Sequence, residues 1–400
     1  MMRWIVLVFF LVSGQGYRIS PSPFYYPVAR ESDLVSLSSS SRIQRVYLGN
    51  EPLVLYTSLS STLSDKRYVV QSDVCPHMGA QLHQGWRSVH GGIHCPYHAF
   101  EFNENGAFCR IPNPAGKAPS SRRRPSAAGS KTCLDTYPVF LRDGYLFIPS
   151  SVREPVYRPG AVIPRRIRSQ DAVQDLGPVL DVPFKPYFPP ENKDPKFRVT
   201  EGSIEIPQYQ DIVTENLLDM LHISYVHSFG SRLTPIPYEV QHYRRHDWGF
   251  RTRFLYSPNQ NTISTEMGRV TTVIVENEFY MPSTTITRVI AGNIVKTVHT
   301  FTTPREGKAS TLYWRIYRNF WRDPFIPAMD LLGDLLIQFL MNRTLEEDQS
   351  ILSKIYETRR DSRFLTRYDV SIKKYREMMA LFSCVGRGGT DDDLGSGGCI

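Results

Sequence analysis

At 400 residues, with 41% hydrophobic and 22% charged side chains, the chain has the make-up of a folded globular protein with room for one large domain or two smaller ones. The formal net charge of +8 could suggest nucleic acid. The excess, however, gathers between Gly116 and Cys133, where Lys117, Arg122, Arg123, Arg124 and Lys131 stand among Ser, Pro and Ala with no acid and no interleaved aromatics. That pattern reads as a solvated loop, so no nucleic-acid partner is expected. At the N-terminus, Arg3 precedes the apolar run from Trp4 to Val12, and Ser13-Gly14-Gln15-Gly16 follows, so residues 1–16 have the form of a signal peptide. The run is too short to span a hydrocarbon core, which takes roughly 20 residues. The richest later run, Leu331 to Met341, is interrupted by Asp334 and Gln338. The mature protein is therefore expected to be soluble or peripheral. The glycine- and aspartate-rich tail, 384–400, is expected to be disordered.

From Phe24 onward, short apolar runs alternate with turn signals, for example Val46 to Leu48, Gly49-Asn50, then Leu53 to Tyr56, which is the pattern of antiparallel strands. Two short motifs follow, Cys75-Pro76-His77 and Cys95-Pro96-Tyr97-His98, with 17 residues between His77 and Cys95. Each offers one thiolate and one imidazole. Two such loops can hold two metals at once, both sulfurs on one iron and both imidazoles on the other, which is Rieske ligation of a [2Fe-2S] cluster. Exchanging two thiolates for neutral imidazoles raises the potential to about −150 to +300 mV, from roughly −400 mV in all-cysteine ferredoxins. The ligand list alone also permits a structural zinc site of two Cys and two His. A proline directly after both cysteines, in a strand-rich context, argues for the cluster. Six cysteines behind a signal-like segment would ordinarily raise a disulfide framework, but a chain of this size buries a core without staples, and two of the six are needed as thiolates. His83, His90 and His94 fall outside the motif and read as surface or packing residues.

In the second half, the apolar spacing predicts a helix over Asp211 to Leu221. His222 and His227 follow, five residues apart, which is about 140° around a regular helix. They can meet on one ion only if the helix ends or bulges between them, and Ser224, Tyr225 and Val226 favour that. A third ligand, a carboxylate, would complete a two-His, one-carboxylate set with positions left open. Glu346, Glu347 and Asp348, on an amphipathic stretch from about Met329 to Glu357, are the candidates, with a charged helix face as the alternative for all three. Between these helices a meander is predicted: Arg269 to Phe279, Thr284 to Ile290, a turn at Gly292-Asn293, Ile294 to Thr303, a turn at Pro304 to Lys308, and Thr311 to Asn319. His299 is expected to be a hydrogen-bonded sheet residue, with a place facing a cavity as the other option. An antiparallel sheet against helices gives an α+β class.

Cys75-Pro76-His77-Met78-Gly79-Ala80, Cys95-Pro96-Tyr97-His98, Gly106 and Ile111-Pro112, together with Glu215-Asn216-Leu217-Leu218-Asp219 before His222 and His227, resemble the Rieske non-haem iron oxygenases, in particular the group of chlorophyllide a and pheophorbide a oxygenases. One departure is Ala99-Phe100, where the family usually has Gly-Trp. The resemblance implies a Rieske domain over 24–150 and a helix-grip-like catalytic domain over 165–380. It implies Asp348 as the third ligand of a mononuclear ferrous ion, Asn216 near that iron, and Asp219 linking His222 to the cluster of a neighbouring subunit. Asp219 and His222, three residues apart, suit a carboxylate orienting an imidazole on a helix; a capping or surface role is the alternative for Asn216 and Asp219. The resemblance further implies a homotrimer, dioxygen as co-substrate, and a large, mostly apolar ring as substrate. No G-x-G-x-x-G loop is seen, so electrons must come from a ferredoxin or a ferredoxin reductase. An iron-sulfur protein behind a signal peptide is awkward in an oxidising lumen. An algal plastid reached through that signal reconciles the two, with the secretory pathway or a membrane periphery as alternatives. A Rieske electron carrier with a partner-binding second domain is the alternative function.

Overall fold

The computed structural model describes residues 24–34, 43–58, 68–110, 133–150, 186–227, 237, 239–246, 249–256, 273–322, 326–355 and 366–384. The signal-like segment, the basic loop up to Lys131, the predicted strand start at Arg269 and the tail after Cys384 lie outside them.

In the first half, β1 (Phe24–Arg30) leads into a short helix α1 (Glu31–Leu34), then β2 (Gln44–Leu48), β3 (Glu51–Thr57) and β4 (Tyr68–Ser72). Four brief strands follow, β5 (Trp86–Arg87), β6 (Ile93–His94), β7 (Glu101–Phe102) and β8 (Phe108–Arg110), then β9 (Thr136–Tyr137), β10 (Phe140–Arg142) and β11 (Tyr145–Ser150). They form three antiparallel sheets, in the orders β1-β11-β10, β2-β3-β4-β9 and β5-β6-β7-β8. Strand β3 is covered on both faces, which is why Leu53, Val54, Leu55 and Tyr56 are consecutive and apolar rather than alternating. Leu53 and Leu55 enter one core with Val28, Val46, Leu146 and Ile148. Val54 and Tyr56 enter a second with Cys75, Leu82, Ile93 and Cys95. The second core is what fixes the two cysteine loops to the body of the domain.

The second half contributes one seven-stranded sheet of described strands, in the order β12-β18-β17-β16-β15-β14-β13. Its members are β12 (Arg198–Ile206), β13 (Glu239–His246), β14 (Gly249–Tyr256), β15 (Val273–Tyr280), β16 (Thr284–Ala291), β17 (Ile294–Arg305) and β18 (Ala309–Arg318). The last four match the predicted meander, but β17 runs on through Pro304, which was read as a turn. Pro304 pairs with Ser310, and its carbonyl accepts the Gly49 N–H at 2.8 Å, so the residue is used as an acceptor and its missing donor is not needed.

The period of two along β17 and β18 sorts two faces. Leu312, Trp314, Ile316 and Val298 pack under α2 (Gln210–Leu218) and α4 (Pro327–Leu352). Phe301 and Tyr313 point the other way and join Tyr25, Tyr145 and Phe147 in an aromatic core shared with the first half. His299 lies on this second face, not toward the helices. It is fully buried against Phe188 and Phe301, at ring distances of 5.2 and 4.5 Å, and burial pushes it down to about 3. Contrary to expectation, neither ring nitrogen makes a well-formed hydrogen bond among the described residues. A neutral imidazole packed as an aromatic ring accounts for that better than a sheet-bonded one.

Helix α4 starts at Pro327, whose missing N–H is harmless in the first turn. Its buried stripe is Gly333, Ile337, Met341, Leu345, Asp348 and Leu352, a run of steps of four and three. A Cβ on Gly333 would come within 2.6 Å of the Arg318 guanidinium, so only glycine lets the helix approach β18 there. Among the described residues no helix is long and apolar enough to cross a membrane.

Candidate metal centres

The two cysteine loops are built alike. The Cys75 N–H donates to the Ala80 carbonyl and the Gly79 N–H to the Cys75 carbonyl, both at 2.9 Å; in the second loop Cys95 N–H reaches Phe100 O at 2.8 Å and Ala99 N–H reaches Cys95 O at 2.9 Å. Each turn closes on a residue in the left-handed region, Gly79 at φ +76° and Ala99 at φ +54°. For Ala99 that conformation costs about 1–2 kcal/mol, which glycine avoids. Ala99→Gly is therefore expected to stabilise the loop by about 1 kcal/mol, seen as a higher temperature for thermal bleaching of the cluster's visible absorbance; a lower temperature would contradict the strain argument.

Cys75 and Cys95 are buried, whereas His77 is exposed and stands over His98 with ring centroids 4.8 Å apart. Burial pushes the Cys75 thiol up, while the backbone N–H groups of His77 and Met78 on its sulfur work the other way. The sulfurs thus pair at the base of the loops and the imidazoles at the tip. Nδ1 of His98 is buried without a hydrogen-bond partner among the described residues, as a nitrogen reserved for a metal would be. A two-metal cluster fits this arrangement. His83 and His94 serve packing: Asp73 accepts the His83 Nδ1 at 2.7 Å and forms an ion pair with the Arg45 guanidinium at 2.9 Å, and His94 stacks on Trp86 at 5.2 Å.

His222, His227 and Asp348 each bring one possible ligand atom within 4.8 Å of the others'. The local fold differs from the predicted one. Helix α2 ends at Leu218, before Leu221, because Asp219 turns extended at ψ 125°. A separate four-residue helix α3 (Ile223–Val226) then stands between the two histidines, which are its flanking residues. The break is held from the sheet: Asn277 donates to the Leu218 carbonyl at 3.2 Å and the Tyr256 hydroxyl to the Met220 carbonyl at 3.0 Å. Asp219 meets His222 as expected, but not as a helical neighbour, and its backbone carbonyl stands nearer the ring than its carboxylate. Its backbone carbonyl lies 2.9 Å from His222 Nδ1, and the carboxylate is at 3.7 Å. Asn216 stands on the last turn of α2, where its carbonyl accepts the Asp219 N–H at 3.2 Å.

With Nδ1 of His222 engaged by a carbonyl, and Nδ1 of His227 lying 3.2 Å from Glu347 Oε2, both rings turn Nε2 toward Asp348. Those nitrogens lie 3.4 and 3.6 Å from Asp348 Oδ1. This oxygen is buried and receives no hydrogen bond among the described residues. A buried carboxylate oxygen left without a donor is costly unless a cation completes it, so the donor set fits a divalent ion. Burial lowers both imidazoles; at His222 the Asp348 and Asp219 carboxylates outweigh it and leave the ring raised, whereas at His227 burial prevails. Burial also raises the Asp219 carboxyl. Glu346 is exposed and takes no part.

Residues 24–138 match the Rieske [2Fe-2S] domain, and residues 209–381 match the Vanillate O-demethylase oxygenase C-terminal domain. The chain belongs to the Rieske non-haem iron oxygenases. A [2Fe-2S] cluster and a mononuclear iron are accordingly its two cofactors. Among solved structures, this Rieske oxygenase chain is similar to dicamba monooxygenase bound to dicamba, with a TM-score of 0.64 and 19% identity over 91% of this chain and 98% of that one, which shows a shared fold. Among curated proteins, it is 28% identical to flavonoid 8-hydroxylase 2, chloroplastic, of Ocimum basilicum over 51% of this chain and 33% of that protein. It is 24% identical to pheophorbide a oxygenase, chloroplastic, of Arabidopsis thaliana over 47% of this chain and 31% of that one. The match thus spans about a third of the length of these curated relatives. Tyr256 and Asn277 were not singled out from the sequence. Asn277 carries a signal nonetheless, a fully buried amide between Val275 and Phe279 on the inward face of an alternating strand.

Proposed function

We propose that the chain is an oxygenase in which Cys75, His77, Cys95 and His98 hold the cluster and His222, His227 and Asp348 hold the iron, acting on a large, mostly apolar ring such as a tetrapyrrole. The observation that carries this reading is the convergence of two Nε2 atoms on a buried carboxylate oxygen that receives no hydrogen bond among the described residues. Iron bound there with open positions supplies dioxygen activation, driven by single electrons from the cluster. The chain's own part is positional. The Asp219 carbonyl holds the proton of His222 on Nδ1, Asn277 and Tyr256 keep the intervening backbone out of helix, and Met220, Phe254 and Val275 pack as an apolar cluster with Ile223 beside them. Apolar surroundings next to the iron ligands suit a ring system with little to hydrogen-bond.

Asp219, between His222 and the surface, is the residue we assign to passing electrons from the cluster of a neighbouring subunit in a homotrimer; Asn216 is assigned a place beside the iron. Electrons come from an external ferredoxin or its reductase. The chloroplastic relatives support a plastid destination; the route through the signal-like N-terminus in an alga is part of the proposal. The substrate class is tested by reducing the purified protein with ferredoxin and following oxygen uptake and product with pheophorbide, chlorophyllide, a flavonoid and a small aromatic acid. Coupled product from a tetrapyrrole is the expected result. Product from the flavonoid or the aromatic acid alone would overturn the tetrapyrrole reading while leaving the oxygenase standing.

A further inference from the structure

We propose that Glu347 is the positioning residue of His227: its carboxylate takes the Nδ1–H of that ring and so fixes the direction in which Nε2 presents its lone pair. The inference rests on the ligand set assigned above. Glu347 and Asp348 are adjacent on α4, about 100° apart around the helix, and they address opposite ends of one imidazole. Glu347 Oε2 lies 3.2 Å from Nδ1, and Asp348 Oδ1 lies 3.6 Å from Nε2. An ionised carboxylate only accepts, so the hydrogen must sit on Nδ1, and the nitrogen facing Asp348 is left free to bind. The other carboxylate oxygen of Glu347 is approached by Arg343 Nε at 3.4 Å, one turn back on the same helix.

The two histidines are therefore held by different means. His222 is oriented by a main-chain carbonyl, which no side-chain substitution removes. His227 is nine-tenths buried and depends on a side chain. Three consecutive acids thus divide three ways: Glu346 is solvated, Glu347 orients, and Asp348 binds.

The test is anaerobic titration of Fe(II) into the full-length, cluster-loaded protein against a chromogenic chelator, with the ligand-field bands of the Co(II)-substituted protein as a second readout. Glu347→Ala is expected to weaken Fe(II) binding by about 10- to 100-fold and to shift the Co(II) bands, with the cluster absorbance unchanged. Glu347→Gln keeps the side chain's volume and a neutral acceptor of roughly half the strength, so about 3- to 10-fold is expected; it decides the matter if the alanine variant does not fold. Arg343→Ala, which touches only the far oxygen, should stay within about fivefold. If both Glu347 variants bind Fe(II) like the parent while His227→Ala loses it, the positioning role falls and the ligand set survives. If His227→Ala keeps its iron, the ligand set itself is wrong.

Discussion

Alanine at Asp348 is expected to strip the chain of its mononuclear iron and of turnover while sparing both the cluster and the fold. Iron content should drop from about three to about two per chain, with acid-labile sulfide unchanged. The size of the effect follows from comparison. Partners that merely orient a metal ligand are worth about 10- to 100-fold in affinity, so deleting the single anionic ligand of the set should exceed 100-fold. The stability change separates this loss from unfolding. Oδ1 of Asp348 is buried and receives no hydrogen bond among the described residues, so the carboxylate is there at the expense of the bare fold. In chelator, Asp348→Ala should consequently melt close to the parent, because the buried carboxylate it removes is offset only by the imidazoles 3.4 and 3.6 Å away. A variant that keeps about three irons, or that unfolds in chelator well below the parent, would count against the carboxylate as a ligand.

How far the sequence reveals the site depends on whether the determining contact is local. The cysteine loops are legible because ligands and turn share a few residues, Cys75 to Ala80 and Cys95 to Phe100, and only the left-handed Ala99 needed coordinates. Asp348 is legible in a second way, since it falls on the buried stripe that runs through Ile337, Met341 and Leu345, off which Glu346 lies. The break after Leu218 was placed too late because its cause is distant in the chain. Asn277 and Tyr256, from β15 and β14, take the carbonyls that a longer helix would have used. Asp219 was given the right partner, and its second contact was missed for the same reason: once the helix stops, the extended backbone brings its carbonyl to His222 nearer than its carboxylate. His299 shows the limit of strand alternation, which gives two faces without saying that the second is buried by the other domain.

The largest stability effect is expected from Arg288→Met. Arg288, nearly buried on β16, donates to Glu191 Oε1 at 2.5 Å and also bonds the fully buried Glu278. Removing the arginine leaves two carboxylates short of their counter-charge, and breaking a buried pair in this way costs about 3–5 kcal/mol. Glu278 keeps the Arg251 guanidinium at 2.6 Å and the Tyr280 hydroxyl at 2.8 Å, so the lower end of that range applies. Glu191→Gln should cost less, since Arg288 then still holds Glu278. The pH dependence gives the decisive signature. Burial would raise Glu191, but the Arg288 hydrogen bonds outweigh it and hold the carboxyl below its ordinary 4.5. A depressed carboxyl adds stability that is present above 4.5 and is lost as pH falls through the lower folded value. In Arg288→Met the same carboxyl is buried without its cation and rises, so acid relieves the variant while it weakens the parent. The melting temperatures should be furthest apart near neutrality and converge on acidification, and limited proteolysis should open first near Glu191, which the ion pair ties to β16. A gap that widens in acid would mean that Arg288 stabilises the sheet by packing rather than by charge.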